Sequence, residues 1–361
     1  MAEQLKNLYS KEFIEKLANK LFLIYSDFEK ENFKKSIFDN TWQDLELKQR
    51  MRHIALTLNR YLPFSYDKQL EILKKAKEDF TGLEAMVFQD FVEVFGLNDF
   101  SNSMKALEVF TINSSSEFAI RQFILKYEEQ AMNQMKIWSQ SPNEHIRRLA
   151  SEGCRPRLPW AVALPIFKQN PTKALEIIEL LNNDKSVYVQ KSMANNLNDI
   201  SKDNPFLVIN FVKQNIGKTK ELDWICKHGS RTLLKKGNIE ILGLFSFDKS
   251  YHINLTNFCY DKSVNVDDNL TFSFEINSDE IIGNIRIEYV IYYLKSNNIH
   301  NKKVFMISQN EIKSSSKKFI KKQSFKNMTT RKHYLGKHFI AILINGVEVL
   351  KEEFYLNDTS N

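Results

Sequence analysis

The amino-acid sequence predicts a mainly α-helical solenoid followed by an antiparallel β-sandwich, and three observations carry that reading. All seven prolines lie between Pro63 and Pro205, so the C-terminal third has none. Apolar residues recur at helical spacing until about residue 243, then alternate with the two-residue period of strands. Similar helical segments also return at a nearly regular interval along the first part. The predicted domains are residues 1–243 and 244–361. A chain of 361 residues with 43% hydrophobic content is long enough to bury a core in each.

Residues 1–100 carry the helical stripes Phe22, Ile24, Phe28 and Leu56, Leu58, Leu62, and belong to the same solenoid. Ile120, Phe123, Ile124 and Tyr127 form the next stripe; Val187, Met193, Ala194 and Leu197 form another. Ser141-Pro142-Asn143-Glu144 reads as a capping box with proline at the first helical position, opening a helix to about Glu152. Asn170-Pro171 and Asn204-Pro205 repeat the signal of an Asn cap followed by proline. A helix over 223–236 should stop at Gly237. Trp138 and Trp224 fall within helical stripes and read as core.

Three of these helices resemble one another: HIRRLA from His145, YVQKSMA from Tyr188 and WICKHGSR from Trp224. Ile146 to Val189 is 43 residues and Val189 to Ile225 is 36. Those intervals bracket the roughly 40-residue period of HEAT-type helix pairs. Such pairs bury one face against their neighbours and stack into a curved array with a concave binding surface.

After about Leu244 the segments SYHINLTNF, LTFSFEI, IGNIRIEYVIYYL, KVFMIS and HFIAILING alternate apolar and polar residues. Asp267-Asp268-Asn269 and Asn345-Gly346 mark turns, the latter a strong hairpin signal. Some seven short strands in this stretch predict the sandwich.

The net charge of +7 favours an anionic partner, and its distribution says more than its size. From Ile312 to Val347 there are nine Lys or Arg and no Asp or Glu. That run reads as a basic loop, solvated or touching nucleic acid. Cys154, Cys226 and Cys259 are odd in number and far apart, with no zinc-like spacing and no disulfide framework. The N-terminus lacks a signal-peptide core and no run approaches about 18 apolar residues, so no membrane span is expected. The expected location is cytoplasmic and nucleoid-associated, with no obligate protein partner implied.

The densest chemistry lies at residues 143–160, NEHIRRLASEGCRPRLPW. Arg147, Arg148, Arg155 and Arg157 place four guanidiniums in eleven residues, a pattern suited to phosphates, which arginine forks match bidentately. Glu152 stands among them, where a merely electrostatic clamp would not want it. Together with SSSEFAIRQF (114–123), YVQKSMANNLNDISKDNP (188–205) and ICKHGSRTLLKKG (225–237), this segment resembles the AlkC branch of the AlkC/AlkD-type DNA alkylation-repair glycosylases. The resemblance runs over most of residues 100–240 and recurs beyond about 245. It implies a HEAT-like DNA glycosylase domain and sharpens the C-terminal sandwich to an immunoglobulin-like one.

Glu152 and Asp199 each fall in the last turn of a predicted helix, where a negative charge opposes the helix dipole by about 0.3–1 kcal/mol. Stability alone would prefer a cation there. A salt bridge to Arg148 or Lys202 is the plain structural alternative. Glu117 follows three serines at a helix start, where capping would explain it. Trp160, after a proline loop, would ordinarily be a core plug. The resemblance implies instead that Glu117, Glu152 and Asp199 line an active-site cleft and that Trp160 contacts the lesion. It further implies that Arg147, Arg148, Arg155, Arg157, Lys191 and Arg231 hold phosphates, with Lys321, Lys322 and Arg331 of the basic run touching the duplex elsewhere.

The implied reaction needs neither metal nor cofactor. A base alkylated at N3 of adenine is cationic and leaves as a neutral purine, while the sugar gains oxocarbenium character. The implied function is therefore hydrolysis of N3-methyladenine and similar cationic bases from double-stranded alkylated DNA, leaving an abasic site. The rival is a non-catalytic HEAT-repeat DNA-binding or scaffold protein, since fold alone does not make an enzyme. A scaffold gains nothing from carboxylates facing phosphates.

Overall fold

A computed structural model describes residues 4–247, 252–327 and 332–358. They fall into two compact units: residues 1–208 with 217–229, and residues 209–216 with 230–361. Among the described residues no helix is long and apolar enough to cross a membrane.

The first unit begins with α1 (Lys11–Ile24), α2 (Lys30–Ile37), α3 (Leu47–Tyr61), α4 (Tyr66–Lys77), α5 (Met86–Phe95) and α6 (Phe100–Phe110). Each turns an apolar stripe inward, as amphipathic helices must to stabilise themselves in water. Of the stripes expected here, Phe28, Leu58 and Leu62 are buried, whereas Phe22 and Leu56 face solvent. The unit continues with α7 (Ile120–Lys126), α8 (Glu128–Trp138), α9 (Glu144–Gly153), α10 (Pro165–Gln169), α11 (Thr172–Leu180) and α12 (Val187–Ile200). Beyond them lie α13 (Pro205–Asn215), which passes from one unit to the other, and α14 (Lys220–Gly229).

The three similar segments are α9, α12 and α14, and they pack in that order, α9 on α12 and α12 on α14. Helical repeats stacking side by side are what the sequence interval predicted. Local details differ. The helix expected to open at Pro142 opens at Glu144, because the Asn143 side chain caps it by accepting from His145 N–H. Ser141 instead accepts from Asn143 N–H and serves the preceding turn. The helix expected over 223–236 breaks at Ser230, leaving α14 and then α15 (Arg231–Lys235) in the second unit. Gly237 does take the left-handed conformation, with φ +68°.

The second unit adds α16 (Ile239–Leu244) and the strands β1 (Asn254–Tyr260), β2 (Ser263–Asn265), β3 (Asn269–Asn277), β4 (Gly283–Leu294), β5 (His300–Ile312), β6 (Ser316–Ser324), β7 (Gly336–Ile344) and β8 (Val347–Asn357). They form a three-stranded sheet, β1-β3-β6, and a five-stranded sheet, β2-β8-β7-β4-β5. Pairing is antiparallel except for the short β2, which runs parallel to β8. Leu270, Phe272, Phe274 and Ile276 of β3 share one apolar core with Ile285, Ile287 and Ile291 of β4 and Ile340 and Ile342 of β7. Phe272 and Tyr289, 5.0 Å apart, join the two sheets across it.

Asn345-Gly346 makes the β7–β8 hairpin with both residues at positive φ, as a two-residue turn requires. Gly346 is needed for a second reason: a Cβ there would fall 2.7 Å from Leu242 Cδ1 and 2.9 Å from Gly237 Cα. The basic run is in part strand rather than loop. Residues 316–324 are strand β6, at the edge of the three-stranded sheet, with Phe319 and Gln323 turned inward. Lysines on an edge strand discourage pairing with other chains.

Candidate active site

Helix α9 ends at Glu152 and Gly153, and α12 ends at Asp199 and Ile200. Because the two helices pack together, both acids sit at neighbouring ends. Asn196 secures the approach, donating from Nδ2 to the Ser151 carbonyl at 2.8 Å. Glu152 and Asp199 are both buried. They converge on a single guanidinium: Arg155 Nη1 lies 2.5 Å from Glu152 Oε1, and Arg155 Nε donates to Asp199 Oδ2 at 2.8 Å. Burial lowers the pKa of Arg155, but the attraction of Glu152 and Asp199 outweighs it and holds the pKa above the usual arginine value.

Arg148 is the second cation of the cluster. It pairs with Glu117, lies 3.4 Å from Glu152 and stacks over the Tyr188 ring at 5.0 Å. Glu117 sits outside α7 and takes a hydrogen bond from Ser115 Oγ at 2.7 Å. Lys202 completes the set, 2.9 Å from Asp199 Oδ1. The expected salt bridges of Glu152 to Arg148 and of Asp199 to Lys202 are therefore present.

The carboxylate oxygens are not used equally. Asp199 has both occupied, Oδ2 by Arg155 and Oδ1 by Lys202. Glu152 makes its contacts through Oε1, and Glu117 makes its contacts through Oε2. Among the described residues, the other oxygen of each of those two acids accepts no hydrogen bond.

Trp160 is no core plug: it is 64% exposed, with φ +62°. A bulky residue in the left-handed region costs on the order of 1–2 kcal/mol, so the surroundings must impose the conformation. Part of that constraint is Arg121, which the sequence reading passed over. Its guanidinium is fully buried and donates to the carbonyls of Val162 at 2.6 Å, Gly153 at 3.0 Å and Arg155 at 2.8 Å. One buried cation thereby gathers both ends of the loop carrying Arg155, Arg157 and Trp160. Burial pulls its pKa down to about 10. The available signal was an arginine directly beside the apolar stripe of a seven-residue helix.

The other expected phosphate contacts divide. Arg147 gives its fork to Asp184 at 2.6 and 3.1 Å and its Nη1 to the carbonyls of Ser141 and Pro142. Arg157 pairs with Asp203 but remains partly exposed. Lys191 is exposed on α12. Arg231, at the start of α15, is half-buried. On β6, Lys322 is exposed and Lys321 half-buried, while Arg331 lies outside the described residues. Trp138 is buried as expected, donating to Glu108, but Trp224 is 40% exposed and stacks on His228 at 4.9 Å.

Known proteins resemble this chain over both its helical and its β parts. The family model of the DNA alkylation repair enzyme matches residues 108–231. A second, the C-terminal Ig-like domain of the uncharacterised protein YhaZ, matches residues 256–358. Over 344 residues the chain is 43% identical to the uncharacterized protein YhaZ of Bacillus subtilis (strain 168), covering 95% of this chain and 96% of that one. It also superposes, with a TM-score of 0.94 and 32% identity, on the Pseudomonas fluorescens alkylpurine DNA glycosylase AlkC bound to DNA containing an abasic site analog. That match covers 98% of this chain and 100% of the other.

Proposed function

The chain belongs to the DNA alkylation repair enzyme family, and on that premise we propose that it is a monofunctional DNA glycosylase. It hydrolyses the N-glycosidic bond of cationic alkylated bases, chiefly N3-methyladenine, in duplex DNA and leaves an abasic site. The observation that carries this reading is the convergence of two buried acids, at the ends of successive repeat helices, on one planar cation, Arg155. A site built to surround a guanidinium with carboxylates is electrostatically suited to a flat, delocalised sugar cation.

The division of labour follows from the oxygens. Asp199, saturated by Arg155 and Lys202, supplies field and holds Arg155 in place. Glu152, whose hydrogen bond falls on Oε1, turns its other oxygen to the developing charge or to the attacking water. Glu117 supports it through Arg148. A carboxylate near 4 Å from a unit charge, at an effective dielectric of about 20, contributes about 4 kcal/mol, roughly a thousandfold in rate. The exposed face of Trp160 contacts the lesion or fills its place, and the exposed Arg157, Lys191 and Lys322 hold phosphates regardless of sequence.

Incubation with methylated duplex DNA tests the proposal through the bases released. Expected is free N3-methyladenine with an abasic strand left uncleaved. Binding without release would sink the enzymatic reading in favour of a scaffold. The ring-opened product of N7-methylguanine, a neutral lesion, should be a poor substrate.

A further inference from the structure

The proposed site draws on residues beyond 110, yet a side chain from the N-terminal helices reaches it. Lys48 stands in the first turn of α3 and donates from Nζ to the carbonyl of Trp160 at 2.9 Å, across 112 residues of chain. The same ammonium lies 4.6 Å from the centroid of the Phe118 ring, the residue after Glu117. A cation in the first turn of a helix works against the helix dipole, so local stability does not account for it. Its partner is the one residue of the loop held at positive φ, the exposed Trp160. Beside them runs a groove of about 620 Å³ lined by Leu5, Glu46, Leu47, Lys48 and Trp160.

From this we propose that Lys48 is a positioning residue: it fixes the backbone of Trp160 and thereby the direction in which the indole is presented. Arg121 anchors the loop at Gly153, Arg155 and Val162, but neither it nor any carbonyl it holds is at Trp160 itself. The Lys48 bond supplies that missing point. Its ring contact with Phe118 places the same ammonium next to the segment carrying Glu117. The N-terminal helices then do more than extend the solenoid: they set the lesion-facing aromatic. This inference takes its role for Trp160 from the proposed function, so the test has one arm that uses no DNA.

Lys48→Met keeps the aliphatic stem over Phe118 and removes the donor; Lys48→Arg restores a donor. The loop offers trypsin the Arg157–Leu158 bond, since the Arg155 and Pro156 bond is refractory before proline. In the full-length protein, Lys48→Met should raise the initial rate of cleavage after Arg157 by roughly three- to tenfold, with an unchanged thermal midpoint, and Lys48→Arg should return it to the wild-type rate. On methylated duplex DNA the single-turnover rate of base release should fall by a similar factor with affinity nearly level, again rescued by arginine. Looser cleavage in a protein that releases no methylbase would uphold the positioning role while removing the glycosylase reading. Wild-type proteolysis and wild-type release in Lys48→Met would overturn the inference and leave the proposed function standing. A Lys48→Arg variant no better than Lys48→Met would overturn it as well.

Discussion

Two buried arginine–glutamate pairs invite comparison, one in each unit. In the helical unit Arg148 and Arg155 meet Glu152 and its neighbours; in the β-domain Arg286 meets Glu288 on β4. Glu152, Arg155, Arg286 and Glu288 are buried, and Arg148 is half-buried. Yet Glu288 Oε2 and Arg286 Nε are sealed away without a hydrogen-bond partner, on a strand buried along nearly its whole length. Glu152 is different: its spare oxygen is not among the sealed, unpartnered atoms, and its loop carries an exposed tryptophan. Burying and pairing a charge does not make a site. What distinguishes the helical cluster is three acids and three cations joined in one network, beside an exposed aromatic.

The largest effect expected from that contrast is on catalysis. Glu152→Gln keeps shape and removes charge, and should lower the single-turnover release of N3-methyladenine by roughly a thousandfold. Affinity for the duplex should stay level or rise, because the acid repels phosphates in the ground state. Asp199→Asn should fall less steeply, since both its oxygens are already committed to Arg155 and Lys202. Equal release by wild type and Glu152→Gln would erase the distinction drawn above.

Glu288→Gln should do the opposite. Breaking a sealed ion pair strands Arg286 and should cost about 3–5 kcal/mol in stability, read by denaturant unfolding, with base release unchanged at temperatures where the protein is folded. Loss of activity in a folded Glu288→Gln protein would show the two clusters to be coupled.

Binding effects should be smaller per residue. Lys321→Glu with Lys322→Glu should weaken affinity for every duplex sequence and flatten its salt dependence, without changing which lesion is removed. Wild-type binding curves for that variant would take β6 out of the DNA interface.

The smallest effect is a pH dependence of the β-domain. His338 is fully buried, accepts the Leu294 N–H at Nδ1 and reaches the Tyr334 carbonyl from Nε2. Burial, with His300 and His333 nearby, pushes its pKa below the ordinary 6.5. Protonation of Nδ1 would set two donors face to face. The unfolded chain therefore takes up the proton first, and stability present above pH 6.5 is lost as pH falls below it. His338→Gln keeps an acceptor and a donor and should flatten thermal midpoints over that range; an unaltered profile would assign the acid sensitivity elsewhere.

Several of these features were legible in the chain. The helices α9, α12 and α14, the positive-φ hairpin at Asn345-Gly346 and the adverse placing of Glu152 and Asp199 all rest on short-range pattern. Strand β6 escaped that logic: an edge strand carries lysines on its solvent side, so only Phe319 and Gln323 betray its inner face. Trp224 escaped for the converse reason, since a stripe residue near the end of an array has no further neighbour guaranteed to cover it. Arg121 and Lys48 showed nothing beyond an odd cation in each helix.

Taken alone, the sequence determined the classes of element, their order and the residues with unusual chemistry, because periodicity, caps and turns depend on neighbours a few positions away. Only the tertiary structure decided how those residues are used. Arg155 finds Asp199 from 44 positions away, Arg148 finds Glu117 from 31, and Lys48 finds Trp160 from 112. An arginine read in isolation is as ready for phosphate as for a carboxylate, and which one it faces in the free protein is set by helices packing side by side.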